Sequence, residues 1–177
     1  MDDKPDASRA DQALDAVDAV VHDMRATRPD LDPVGLPITG RILRLAQFVA
    51  DRREEALAEF GLTVADFDVL ASLRRRAGSD PVKVRDLVSS MMLSSGGMTK
   101  RLDRLEAVGL LARGPDPADR RGVLIRLTPS GIDAIDRALE VVSRIESELV
   151  TTALDAPETR RQVEAGLRRL LLAHESG

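Results

Sequence analysis

Two stretches of the chain gather small, polar and basic residues at spacings that could meet a polyanion. The first is S-S-G-G-M-T-K-R-L-D-R, from Ser94 to Arg104. Ser94, Ser95, Gly96 and Gly97 would open a helix, where bare backbone N–H groups and the positive helix end suit a phosphate. Two glycines there weaken a helix by up to about 1 kcal/mol each relative to alanine. Close approach of the backbone to a groove wall is a reason to tolerate that cost. Thr99, Lys100, Arg101 and Arg104 follow on the polar face, while Asp103 is expected to pair with a neighbouring arginine. The competing reading is a solvated charged face.

The second stretch is D-P-A-D-R-R-G-V-L-I-R-L-T, from Asp116 to Thr128. It could be a solvated turn, a catalytic acid and base, or a charged finger. A catalytic acid at Asp119 would need a partner base in a desolvated cleft, and an exposed hairpin tip supplies neither burial nor nucleophile. No enzyme is expected. In the finger reading Arg121 reaches, Arg120 and Arg126 meet phosphates, Asp119 holds an arginine in place, and Pro115 and Pro117 restrict the loop.

Composition bounds these readings. The 177 residues include no cysteine and only two histidines, His22 and His174, far apart in the chain. Disulfides, thiolate chemistry and cysteine metal sites are excluded, a histidine zinc site is not expected, and no cofactor is called for. Trp and Tyr are absent, which removes the usual stacking platforms for single strands and favours duplex DNA. The window Arg74–Arg126 holds twelve Lys and Arg against six acids, so it is +6 in a chain of net −4 and the remainder is −10. A local basic block in an acidic chain is an electrostatic footprint that discourages indiscriminate sticking to phosphate. With no apolar run of eighteen residues and an acidic start, a cytoplasmic protein with no membrane segment is expected.

The elements that must position these residues read as mainly α with a small β-hairpin. A short N-terminal helix carries Leu14, Val17, Val20, Val21 and Met24, and R-P-D-L-D-P ends it. A second helix runs from about Gly35 or Pro37 to Phe60, with Ile42, Leu45, Ala46, Val49, Ala56, Leu57 and Phe60 on one face and Gly61 closing it. Thr63 and Asp66 make a capping-box pattern before a stripe of Phe67, Leu70, Ala71 and Leu73 that Gly78 ends. A short helix follows from Val84 to about Ser89, with Val84, Leu87 and Val88 inward, then a break through Met91, Met92 and Leu93. Met98, Leu102, Leu105 and Val108 recur at helical spacing on the buried face of the basic helix, and Gly109 stops it.

Next comes a hairpin: a strand over Leu110–Arg113, a loop over Gly114–Gly122, and a strand over Val123–Leu127 with Val123, Ile125 and Leu127 on one face. Thr128 and Pro129 then start a long helix to Leu154. Its seam of Ile132, Ile135, Leu139, Val142, Ile145 and Leu149 suits a partner helix. A last helix carries Val163, Leu167, Leu170 and Leu171. This order is a winged helix-turn-helix flanked by helices too apolar to stand alone, which points to a homodimer. The alternative is that they fold back on their own chain. The expected organisation is an N-terminal helical extension and linker over 1–33, dimerisation helices over 34–61 and 129–177, and a DNA-binding domain over 62–128.

The runs L-T-V-A-D-F-D-V-L-A-S-L, S-S-G-G-M-T-K-R-L-D-R-L-E-A-V-G-L-L-A-R and D-P-A-D-R-R-G-V-L-I-R-L-T-P-S-G together resemble the MarR family of winged-helix transcriptional regulators over about residues 35 to 175. D-M-R-A-T-R-P-D-L-D-P, residues 23 to 33, is similar to a subgroup with an extra first helix, which includes urate- and aconitate-responsive repressors. The resemblance implies a homodimeric repressor on a pseudo-palindromic operator, often released by a small anionic or phenolic effector. It also implies that Arg121 enters the minor groove. Where the urate-responsive proteins have tryptophan this chain has Met24, which counts against urate.

An effector pocket is expected where the N-terminal helices meet the winged helix, with Met24, Arg28, Asp68 and Arg75 as its residues. Asp68 and Arg75 share a helix face and could equally be an interdomain salt bridge. The reading is a ligand-responsive, sequence-specific regulator of transcription. Its rival is a winged-helix module that binds protein instead of duplex DNA.

Overall fold

The computed structural model describes residues 13–77, 80–90 and 97–175, without the side chains of Ala77, Val88, Ser89, Ser90, Arg120 and Arg121. The chain forms two compact units, Met1–Ala50 and Asp51–Gly177. In the first, helix α1 (Ala16–Thr27) starts with a capping box. The Asp15 carboxylate accepts from the N–H groups of Val17 and Asp18 at 2.7 and 3.1 Å, and Asp18 accepts from the Asp15 N–H at 2.9 Å. Arg41 of helix α2 (Leu36–Ala58) then binds Asp15 and Asp18, each at 2.8 Å. Val17 and Val21 are buried, and a Cβ on Gly40 would lie 3.0 Å from Val17 Cγ1, so α1 and α2 approach closely there. Leu14 and Val20, expected on the same stripe, are 87% and 52% exposed. Leu14 precedes the helix, and α2 covers only the edge that carries Val17 and Val21.

The second unit contains the end of α2, then α3 (Val64–Ala77), β1 (Val82–Lys83), α4 (Val84–Ser90), α5 (Met98–Ala107), β2 (Leu111–Asp116), β3 (Asp119–Leu127), α6 (Pro129–Ala153) and α7 (Pro157–Glu175). The strands form one antiparallel sheet in the order β1-β3-β2. Its core is Leu57, Phe67, Leu70, Leu73, Leu87, Met98, Leu102, Leu105, Leu111, Ile125, Leu127, Ile135, Ala138 and Val142. The end of α2, helices α3 to α6 and the wing close over this core, so the expected winged helix-turn-helix is the observed fold.

Local chemistry sets most boundaries. Gly61 ends the turn after α2 at φ +64°, and Gly109 the turn after α5 at φ +74°. Thr63 and Asp66 exchange capping bonds: the Thr63 N–H donates to Asp66 at 2.9 Å and the Asp66 N–H donates to Thr63 Oγ1 at 3.1 Å. Thr128 caps α6 by accepting from the Gly131 N–H at 3.0 Å, with Pro129 at the first helical position.

Several expectations change. The strands of the hairpin run to a two-residue turn, Pro117–Ala118, instead of flanking a long loop, and β1 adds a third strand by pairing Val82 with Ile125. Val108 is 59% exposed because the chain leaves helical geometry there, at φ −90° and ψ 6°. Val123 is 44% exposed because it lies out along the wing, while Ile125 and Leu127 lie at its base in the core. The α6 seam is shared: Ile135 and Val142 enter this chain's own core and Ile132 and Leu139 pack against it, while Ile145 and Leu149 are half-buried. By contrast α7 buries no residue, and Val163, Leu167, Leu170 and Leu171 are all exposed. Met91, Met92, Leu93 and Gly78 lie outside the described residues.

Candidate nucleic-acid interface

Helix α5 is laid on the core by Met98, Leu102 and Leu105, which are 5%, 2% and 0% exposed. That burial decides where the rest of the helix points. Thr99 and Lys100 are exposed and Arg101 is half-buried, and neither Lys100 nor Arg101 forms an ion pair among the described residues. Gly97, at the N-cap, has φ 80°, a conformation that strains any residue with a Cβ, and no side chain caps the helix start. Ser94, Ser95 and Gly96, expected to join this end, lie outside the described residues.

Arg104 has a different place from the one expected. Its guanidinium pairs with Asp66, whose side chain is 2% exposed, and donates to the Gly61 carbonyl at 3.3 Å. One arginine of α5 therefore binds both the cap of α3 and the turn after α2. Its partner stands 38 residues earlier, a separation that no local pattern reveals. Asp103 pairs with an arginine as expected, and the arginine is Arg113 of β2, at 2.6 Å. Arg113 also binds Glu106 at 2.8 Å, and its own N–H donates to Glu106 at 3.1 Å. The wing is thereby fastened along the length of α5.

The root of the wing is fixed to α6. The Thr128 hydroxyl donates to the Gly109 carbonyl at 2.7 Å, and the Thr128 N–H donates to the Leu110 carbonyl at 3.1 Å. At the tip, Asp116 is the acid that organises the turn. Its side chain is 4% exposed, lies 2.7 Å from Lys83 Nζ, and accepts from the Ala118 N–H at 2.9 Å. The Lys83 ammonium first, and then the Ala118 N–H, hold its carboxyl below the usual carboxylate range. Asp119, expected to hold an arginine in place, is exposed and bonded within the structure. Arg126 is exposed on β3, whereas the side chains of Arg120 and Arg121 lie outside those described.

The residues expected to line an effector pocket fall in both units. In the first, Met24 is half-buried and Arg28 makes a two-bond pair with Asp30 at 2.8 and 2.6 Å. In the second, Asp68 pairs with Arg53 at 3.3 Å, and Arg75 donates to the Ser72 hydroxyl at 3.0 Å. Asp68 and Arg75 are thus bonded to other partners and not to each other. The first unit also has a cleft of about 470 Å³ lined by Val17, Val20, Leu36, Leu43, Arg44 and Phe48, which neither Met24 nor Arg28 lines.

A basic helix seated on a helical core, with a hairpin fastened along it, defines a protein of the winged-helix class. The chain belongs to the MarR family of winged-helix transcriptional regulators: that family's model matches residues 60–122. The chain is 32% identical over 154 residues to the HTH-type transcriptional regulator PecS of Dickeya dadantii, covering 87% of this chain and 92% of the relative. It is 33% identical over 120 residues to the multiple antibiotic resistance protein MarR of Escherichia coli, covering 67% of this chain and 81% of that one. Among solved structures, a cysteine-to-serine mutant of Escherichia coli MarR complexed with operator DNA aligns with a TM-score of 0.66 and 26% identity, over 84% of this chain and 97% of that one. These relatives are regulators of transcription and not enzymes.

Proposed function

We propose that this regulator binds duplex DNA as a homodimer on a pseudo-palindromic operator and represses transcription from it. Helix α5 lies in the major groove and the wing crosses to the minor groove. One observation carries the reading. The buried stripe of α5 turns Thr99 and Lys100 outward and leaves Arg101 half-exposed, and the two acids of this helix, Asp103 and Glu106, are already bound to Arg113. Lys100 and Arg101 are therefore left to meet an anion supplied from outside. Arg120, Arg121 and Arg126 on the wing, and Ser94, Ser95 and Gly96 before the helix, extend the same surface. The DNA complex of the Escherichia coli relative supports the choice of duplex DNA as that anion.

Each polar residue of the effector reading, Arg28, Asp68 and Arg75, has a neighbour it could exchange for a ligand. A small anionic or phenolic effector that makes this exchange would alter operator affinity. A thermal-shift screen of small acids and phenols, repeated with operator present, identifies it as a compound that raises Tm and weakens DNA binding.

The decisive test is selection of an operator from genomic DNA, followed by binding titrations at several salt concentrations. Half-sites about one helical turn apart are expected. Each phosphate contact contributes a slope of about −0.9 in log K against log salt, so Lys100→Ala should make the slope shallower by about one contact. Binding that selects no sequence, or that ignores both salt and Lys100, would instead support a module that docks on protein.

A further inference from the structure

Asp116 is an acid in a surface that is otherwise built to meet phosphate, and neither DNA contact nor apolar anchoring explains it. We propose that Asp116, clamped by Lys83, is a positioning residue for DNA binding: it sets the path of the Asp119–Gly122 backbone and so the direction in which Arg121 leaves the wing. This rests on the reading that the wing contacts DNA.

The geometry joins all three strands through one carboxylate. Lys83, on β1 opposite Leu124 of β3, holds Oδ2 at 2.7 Å, and Oδ1 of this last residue of β2 accepts the Ala118 N–H at 2.9 Å inside the turn. The regular pairing shifts between Pro115 and Asp116, so that Asp116 faces Asp119 across two residues. On β3, a Cβ at Gly122 would lie 2.8 Å from Asp116 Cβ and 3.0 Å from Oδ2, so only glycine lets that strand lie against the carboxylate. The backbone of Arg120 and Arg121 is thus held on both sides by the same residue, through Asp119 before it and Gly122 after it.

Charge makes the proposal separable from simple electrostatics. Asp116 is ionised at neutral pH, because Lys83 and the Ala118 N–H favour the carboxylate. A fixed negative charge near phosphate opposes binding, so Asp116→Asn should tighten DNA binding if charge were its only effect. Positioning predicts the opposite sign.

The test measures operator affinity at one salt concentration for Asp116→Asn, Lys83→Met, Arg121→Ala and the pairwise combinations of Asp116→Asn with the other two. Circular dichroism at the assay temperature selects the variants that are folded. Asp116→Asn should weaken binding about tenfold, within the range for one groove contact. Lys83→Met should lose a similar factor, and the two together little more than either alone, as expected for residues that act as one unit. In the Arg121→Ala background, Asp116→Asn should change affinity by less than about twofold. Unchanged or tighter binding by Asp116→Asn overturns the proposal, as does a full loss that persists without Arg121. A Lys83→Met loss that persists without Asp116 also overturns it, since Lys83 would then be touching phosphate itself. If Arg121→Ala binds like the wild type, the wing reading fails, and the positioning role fails with it.

Discussion

Arg104 and Asp66 form an ion pair that ties the middle of the basic helix to the first turn of α3. Asp66 is also the acid of the capping box with Thr63, and Arg104 reaches the Gly61 carbonyl, so the end of α2, the start of α3 and the basic helix meet at two side chains. A basic residue on the polar face of α5 thus has a partner within the fold, although by type and position it belongs with Lys100 and Arg101.

Replacing Arg104 separates the two roles. Arg104→Ala should lower the unfolding free energy by about 1 to 3 kcal/mol, since it strips a buried carboxylate of a partner. The salt slope of DNA binding should not change, in contrast to Lys100→Ala. Urea denaturation together with operator titrations makes the comparison. A shallower slope with unaltered stability would assign Arg104 to phosphate.

Gly131 is required by packing and not by conformation. A Cβ there would lie 1.9 Å from the Leu110 carbonyl oxygen, which is backbone and cannot rotate away. Gly131→Ala should cost about 3 kcal/mol, at the upper end of overpacking effects, even though alanine is the better helix former. Chemical denaturation of the variant measures it, and a neutral result would mean that α6 slides off the sheet at little cost.

Exposed Leu167, Leu170 and Leu171 on α7 are expected to be covered by a second copy of the chain. Sedimentation equilibrium should find the unaltered chain dimeric and Leu170→Glu monomeric, and operator affinity should fall in the variant, because two half-sites then bind independently. A variant that stays dimeric would place the interface on other elements.

Asp136 and Arg74 join α6 to α3 through bonds of 2.7 and 3.0 Å, and Arg74 holds the Asp136 carboxyl below its ordinary value of 3.8. A carboxyl whose folded pKa is depressed contributes stability above its unfolded pKa and loses it as pH falls through the folded one. Wild type should therefore exceed Asp136→Asn by a constant margin at neutral pH. That margin should begin to shrink near 3.8 and vanish at more acid pH, as read by urea titrations across that range.

Much of the fold was legible because its signals are local. Helix ends depend on residues within a turn of one another, and Thr63 with Asp66, Thr128 with Pro129, Gly61 and Gly109 all mark ends where they were expected. The buried face of α5 followed from the recurrence of Met98, Leu102 and Leu105. The hairpin was less legible, since prolines and charges at 115–121 read as loop. Pairing of β2 with β3 instead runs through Pro115 with Val123 to Asp116 with Asp119, so only Pro117 and Ala118 turn.

By itself the sequence determined the order of elements, the polar face of α5 and the basic charge of the wing, because periodicity and caps act over a few residues. Only the tertiary structure decided which charges stay available. Arg104 found Asp66, Arg113 found Asp103 and Glu106, and Lys83 found Asp116, each across a separation set by how helices and strands pack. An ion pair forms where the fold brings opposite charges within about 4 Å, and spacing along the chain does not encode that distance.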